Sequence, residues 1–400
     1  MFRRPPFWSA FAVVLGITSC ACTDISEDAP QRPPARACPS AQPDANGQGA
    51  AATLARSLGR SDHFLIGAGN DLRGVEGDAL AWDLSAPADI HYLYLVGLPD
   101  TDGGWPTWNP DGTFVDHHMV VAQEQCALPM FTLYAMASQG ENNMDVLTNR
   151  RFMSRWWAGY RLALTRMNEV GGPGLLHVEP DFWGFAQQAS GGAGAAAIGV
   201  LVGSLVGECE GLPEDLTGMG ACMAIIARDV APDVAIGLHA SHWASPDPLE
   251  TAAFLEEVGA GGLDLLVVET LDRDAGCFEA KGQGCAREDG PWYWDETNKT
   301  SPNFAEHLGW AAAISENTGM PLLWWQMPLG APAASSGGKA SAWRDNRVRY
   351  LFDHPDEFVA AGGIGAVFGP GHEGQTTLAT DGGQFDKGLS TYATAPTPLP

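Results

Sequence analysis

Gly174-Leu175-Leu176-His177-Val178-Glu179-Pro180-Asp181-Phe182-Trp183-Gly184 is the stretch from which the fold is read. Its first half is an apolar run interrupted by one histidine, the pattern of a strand buried on both faces. It ends in an acid and a proline, where a strand stops and a helix can begin. Seven further runs share the theme: residues 64–69, 90–97, 129–136, 234–239, 263–269, 321–326 and 364–369. Between them lie helical patterns. Residues 145–170 carry apolar and aromatic residues at a spacing of three to four, and residues 304–318 are Ala-rich and stop at Gly319. Residues 343–361 read as one amphipathic helix, and the Gly/Ala-rich segment 189–210 as a helix or loop packed on the outside.

Eight strand-plus-helix units in 400 residues predict a single (β/α)8 TIM barrel. A doubly wound sheet is the alternative. Against it, Gly67-Ala68-Gly69 follows the first run, but Leu72 stands where a dinucleotide fingerprint needs a third glycine. The expected division is a signal peptide over 1–19, a lipid-anchor site and flexible linker over 20–55, the barrel over 56–390 and a disordered tail over 391–400.

Composition limits the partners. Lys+Arg number 22 against 48 Asp+Glu, a net charge of −26, so nucleic acid and anionic membranes are disfavoured. Hydrophobic residues at 45% supply a sizeable core. Arg3 and Arg4 precede an apolar run, Phe7–Ile17, too short to span a bilayer. It ends at Ile17-Thr18-Ser19-Cys20, which resembles a bacterial lipobox. That resemblance implies cleavage before Cys20, lipidation of its thiol and a membrane contact through acyl chains alone; simple secretion is the other outcome. An oxidising compartment agrees with the cysteines. Cys209 with Cys222 and Cys277 with Cys285 each bracket a short Gly-containing loop and are expected as disulfides; Cys38 with Cys126 is a longer-range possibility.

In a barrel of this type the chemistry gathers at the carboxyl ends of the strands. Leu175, His177 and Glu179 alternate on one face, so His177 and Glu179 are expected to point into the mouth. A carboxylate ending an apolar strand is costly unless it is paired or has a task. Glu269 ends the sixth run in the same way, followed by Asp272, Arg273 and Asp274. Two carboxyl groups across a pocket are what glycoside hydrolysis needs: one protonates the leaving oxygen, the other attacks the anomeric carbon or activates water. Glu179 is the expected general acid, with Glu269 or Asp272 as partner. Sequence does not give their separation, so retaining and inverting chemistry both stay open.

Eight of the 14 tryptophans fall at or beyond strand ends. Flat indoles stack on pyranose faces, although each taken singly could equally be core. The expected carbohydrate-binding set is Tyr134, His177, Asp181, Trp183, His239, Trp243, Arg273, Asp274, Trp325, Gln326 and His372. Trp324 and Trp325 must face opposite sides of their strand, with Gln326 on the Trp324 side. No metal and no cofactor is called. Adjacent His117 and His118 cannot both face inward, the first run holds no HxH, and neither HExxH nor GxSxG occurs. A non-catalytic glycan-binding lipoprotein and a metal-dependent barrel hydrolase are the rival functions; oligomeric state is left open.

His177–Gly184 (HVEPDFWG), Leu238–Trp243 (LHASHW), Glu269–Gly276 (ETLDRDAG), Trp325–Gly330 (WQMPLG) and Phe368–Asp381, taken together, resemble a group of secreted bacterial proteins of largely unassigned activity. The similarity spans roughly residues 128–385 and implies a glycoside-hydrolase-like TIM barrel without a known substrate. It departs from the large barrel clan whose acids lie on strands four and seven, because Gln326 stands where that clan has its nucleophile. The short EPD motif is similar to that of cellobiohydrolase-type barrels over three residues only.

Overall fold

The computed structural model describes residues 33–38, 47–73, 78–99, 103–140, 142–270, 275, 278, 281, 293–332, 343–345, 347–370 and 376–400. Eight parallel strands close into a barrel: β1 (Leu65–Gly69), β2 (Ile90–Val96), β3 (Leu128–Tyr134), β4 (Gly174–Val178), β5 (Val234–Ala240), β6 (Leu265–Glu269), β7 (Leu322–Pro328) and β8 (Gly363–Gly369). Each pairs with its chain neighbour, and β1 closes the ring on β8 with Leu65 opposite Gly365. The apolar runs read from sequence are these eight strands. β1, β4, β5, β7 and β8 are buried at every position, as expected when helices cover the outside and side chains fill the inside.

Helices return the chain between strands. The longest, Arg150–Val170, starts at Asn149, whose side chain accepts from the Phe152 amide. Asp215, Asp247 and Asn303 cap Leu216–Val230, Pro248–Val258 and Phe304–Thr318 in the same way. Each such cap is worth about 1 kcal/mol. Helix Phe304–Thr318 ends where expected, at Gly319 in the left-handed region (φ 68°).

Two expectations are corrected. The single helix over 343–361 is instead a short extended piece, Trp343–Asp345, and two helices, Arg347–Asp353 and Pro355–Ala360. Pro355 lacks the N–H that would continue the first and opens the second. Of the two outcomes expected for 189–210, helix or loop, the segment is mostly loop, with two single-turn 3-10 pieces, because its glycines offer too little side chain to hold a helix. The ends of the barrel domain are more ordered than expected. Ala50–Ser57 is a helix inside the expected linker. The expected disordered tail packs on the bottom of the barrel: Leu399 is buried, Phe64 donates to the Thr397 carbonyl, and Leu399 donates to that of Asp62.

Among the described residues two disulfides are formed, Cys209–Cys222 and Cys38–Cys126. Cys20, Cys277 and Cys285 lie outside the described residues. No helix among the described residues is long and apolar enough to cross a membrane.

Candidate active site at the carboxyl ends of the strands

The upper lumen is built around one indole. Trp325, on β7, meets Tyr92 and Tyr94 of β2, His177 of β4 and His239 of β5, with ring centroids 4.9–6.3 Å apart and edges turned to faces. Residues from three other strands converge on one ring only if that ring lies inside the barrel. Trp324 faces the other way: its Nε1 donates to His307 on helix Phe304–Thr318 (2.8 Å). Tyr134 stands half-buried beside Tyr94, 5.9 Å between centroids. Gly69 and Gly369 leave room for the Tyr92 ring; a Cβ on Gly369 would lie 1.9 Å from its hydroxyl.

His177 and His239 are fully buried within this layer. His177 Nε2 is 3.2 Å from His239 Nδ1, and its Nδ1 is 3.3 Å from Thr132 Oγ1. Burial, helped by the neighbouring His239, holds His177 well below its ordinary pKa. His239 Nε2 has no hydrogen-bond partner and lies 3.9 Å from Glu269 Oε1. Glu269, the last residue of β6, keeps 14% of its side chain exposed. Trp325 Nε1 is likewise buried and unpartnered. The arrangement therefore offers an ionisable carboxylate at the rim, imidazoles behind it and aromatic rings below.

Glu179 is not where strand alternation would place it. Its backbone takes the left-handed region (φ 50°), which breaks the alternation with His177. The side chain instead reaches helix Arg150–Val170. Trp156 Nε1 donates to Oε1 (2.7 Å), and the Ala135 and Met136 amides donate at 3.0 Å each. The carboxyl is fully buried. Burial pushes its pKa up to about 7, opposed by the hydrogen bonds from Trp156, Met136 and Ala135, which favour the ionised form. It ties the end of β3 to an outer helix and does not point into the mouth. Gln326 also has a left-handed backbone (φ 51°) and is almost fully buried, so the simple alternation with Trp324 fails there too.

The remaining expected residues divide. Trp183 is core: it is buried, and its Nε1 donates to the Val178 carbonyl. Trp243 packs on Phe185 (4.6 Å) and over Gly184, where an added Cβ would strike its ring. Asp181 is half-buried and takes the position before helix Phe182–Ser190. Asp272, Arg273, Asp274 and His372 lie outside the described residues. Sequence reading missed Tyr92, Tyr94 and Thr132. Their signal was a polar group on every second residue of an otherwise apolar run, with Tyr94 and Thr132 in register. Among the described residues no group of three or more His, Cys, Asp or Glu could hold a metal ion.

No family model matches this chain, and no curated protein does. Among solved structures it is similar to a GH5 xyloglucan-specific beta-1,4-glucanase from a ruminal metagenomic library: 10% identity, 87% of this chain, 97% of that one, TM-score 0.51. It also resembles a beta-glucosidase of Thermotoga maritima (11% identity, 79% and 84% covered, TM-score 0.45). An endoglucanase of Mycobacterium tuberculosis aligns at 17% identity over 63% of this chain and 64% of its own, TM-score 0.30. These structural neighbours are glycoside hydrolases, and at such identities the likeness shows the fold alone.

Proposed function

We propose that this protein hydrolyses glycosidic bonds of an extracellular poly- or oligosaccharide at the carboxyl-end mouth of its barrel. Glu269 is the mouth carboxylate. Its acidic partner comes from Asp181, which follows β4, or from Asp272 and Asp274, which follow Glu269 in sequence. The observation that carries this reading is a partly exposed carboxylate ending β6 above a lumen lined by Tyr92, Tyr94, His177, His239 and Trp325. Such a site can bind a sugar face on aromatic rings and supply one half of an acid/base or nucleophile pair. Glu179 is assigned a structural role in place of the general acid. The signal-like amino terminus and Cys20 support delivery to the cell envelope, as a lipoprotein held through acyl chains.

The test is a polysaccharide panel with product analysis, run on the parent, Glu269→Gln and Glu179→Gln proteins. Glu269→Gln should lower kcat at least about 100-fold on whichever glycan is cleaved, the usual scale for one catalytic carboxylate. Folded Glu179→Gln protein should stay within about tenfold of the parent. Glycan binding with no cleavage by the parent would replace the enzyme with a binding protein.

A further inference from the structure

Four side chains on four consecutive strands lie in one line: Thr132 on β3, His177 on β4, His239 on β5 and Glu269 on β6. The barrel's stagger produces the line. Thr132 is in register with His177; His177 pairs with Gly237, two residues before His239; His239 pairs with Val267, two residues before Glu269. Each of the last two steps therefore climbs one inward-facing residue towards the mouth.

We propose that Thr132, His177 and His239 form a directional hydrogen-bond relay whose donors all run towards Glu269, which makes His239 a positioning residue that keeps this carboxylate ionised. The inference rests on the assignment of Glu269 as the mouth carboxylate. Its direction follows from what each atom can do. An ionised carboxylate only accepts, so the His239 nitrogen facing it, Nε2, carries the proton. In neutral His239, Nδ1 is then an acceptor, and the group 3.2 Å away must be His177 Nε2–H. Neutral His177 has its acceptor at Nδ1, 3.3 Å from Thr132 Oγ1, and the hydroxyl supplies the proton there. Both rings are fully buried, and burial disfavours imidazolium in His177. His239 Nε2 and Glu269 Oε1 stand 3.9 Å apart, longer than a hydrogen bond, so the last link of the proposed relay requires the two to draw closer.

Among the described residues, the other titratable groups nearby are Tyr92 and Tyr94 on β2, Tyr134 on β3 and His242 beyond β5. Glu269 and Glu306 both act electrostatically on His242. Among the described residues, β1, β7 and β8 bring Gly69, Trp325 and Gly369 to this layer. Adding a proton to His239 would reverse the line: Nδ1 becomes a donor, and the His177 proton must move to Nδ1. The relay therefore has two readable states.

The test uses the full chain with 15N-labelled histidine. At neutral pH both His177 and His239 should carry the proton on Nε2, with Nδ1 of the acceptor type; His177 should not titrate between about pH 5 and 8. Thr132→Val should shift the His177 Nδ1 resonance to that of an unbonded acceptor. On a cleaved glycan, His239→Leu should raise the acid limb of kcat/KM by about half to one pH unit, as loss of a donor to the ionised form does. His239→Gln, whose amide N–H can still reach Glu269, should recover part of that shift. A His177 proton on Nδ1 at neutral pH, or an unmoved acid limb in folded His239→Leu, overturns the relay. If no glycan is cleaved, the histidine spectra still decide the relay, and the cleavage assignment falls alone.

Discussion

Glu179 and Glu269 stand at the carboxyl ends of β4 and β6, one strand apart in the barrel, with opposite fates, and one backbone angle separates them. Left-handed φ at Glu179 turns its carboxyl out to Trp156 and the amides of Ala135 and Met136, whereas Glu269 follows the pleat to the rim. The buried position has a consequence for stability. Its pKa is about 7 in the folded protein against an ordinary 4.5, so between those values the folded state holds a proton that the unfolded state has lost. Stability then falls as pH rises, by roughly 3 kcal/mol across that window, and what was present below about pH 4.5 is lost by about pH 7. Glu179→Gln removes this dependence. It should cost about 1–3 kcal/mol at pH 4.5, because an amide N–H faces N–H donors. By pH 8 the deficit should shrink or reverse. Denaturant titrations of both proteins at pH 4.5, 6 and 8 check this; a gap that widens with pH would show that the carboxylate is stabilised in place.

The elements were largely legible in the amino-acid sequence, because burial on both faces writes itself as unbroken apolar runs, and all eight became strands. What sequence does not carry is where the period breaks. Residues 174–179 look like one alternating strand until φ changes sign at Glu179, and 343–361 looks like one helix until Pro355 divides it. Candidate acids could be found from strand ends, and Glu269 was; the line from Thr132 to His239 depends on barrel stagger, which no local pattern encodes. Helix packing has its own local determinant. Gly220, inside helix Leu216–Val230, faces the end of helix Pro248–Val258, and a Cβ there would lie 1.7 Å from the Val258 carbonyl oxygen. Alanine is the better helix former by about 1 kcal/mol. The clash is with backbone, which cannot swing aside, and overpacking of this kind costs typically 1–3 kcal/mol or more. Gly220→Ala should therefore lower the thermal midpoint by several degrees, while Gly261→Ala, where nothing lies within 4 Å, should not.

Across the whole molecule the first described residues and the carboxyl terminus gather on the side opposite the mouth. Arg36 bonds to Glu124, Trp82 and Leu84, Cys38 is joined to Cys126 just before β3, and the last residues lie beside Asp62 and Phe64, just before β1. Residues 33–38, the first described, thus lie at the amino-end face of the barrel, away from the carboxyl-end mouth. What reaches that mouth is then filtered by the net charge of −26. Like-charged ligands are repelled over the Debye length, about 30 Å at 0.01 M salt and about 8 Å at 0.15 M. A neutral glucan should bind equally in both. A polyuronic acid of similar length should bind about tenfold more weakly at 0.01 M than at 0.15 M, since steering by protein fields changes association by at least that factor. Calorimetry or surface binding at the two salt concentrations distinguishes the cases. Tighter binding of the polyanion at low salt would mean that the mouth presents local positive charge strong enough to override the field of the whole.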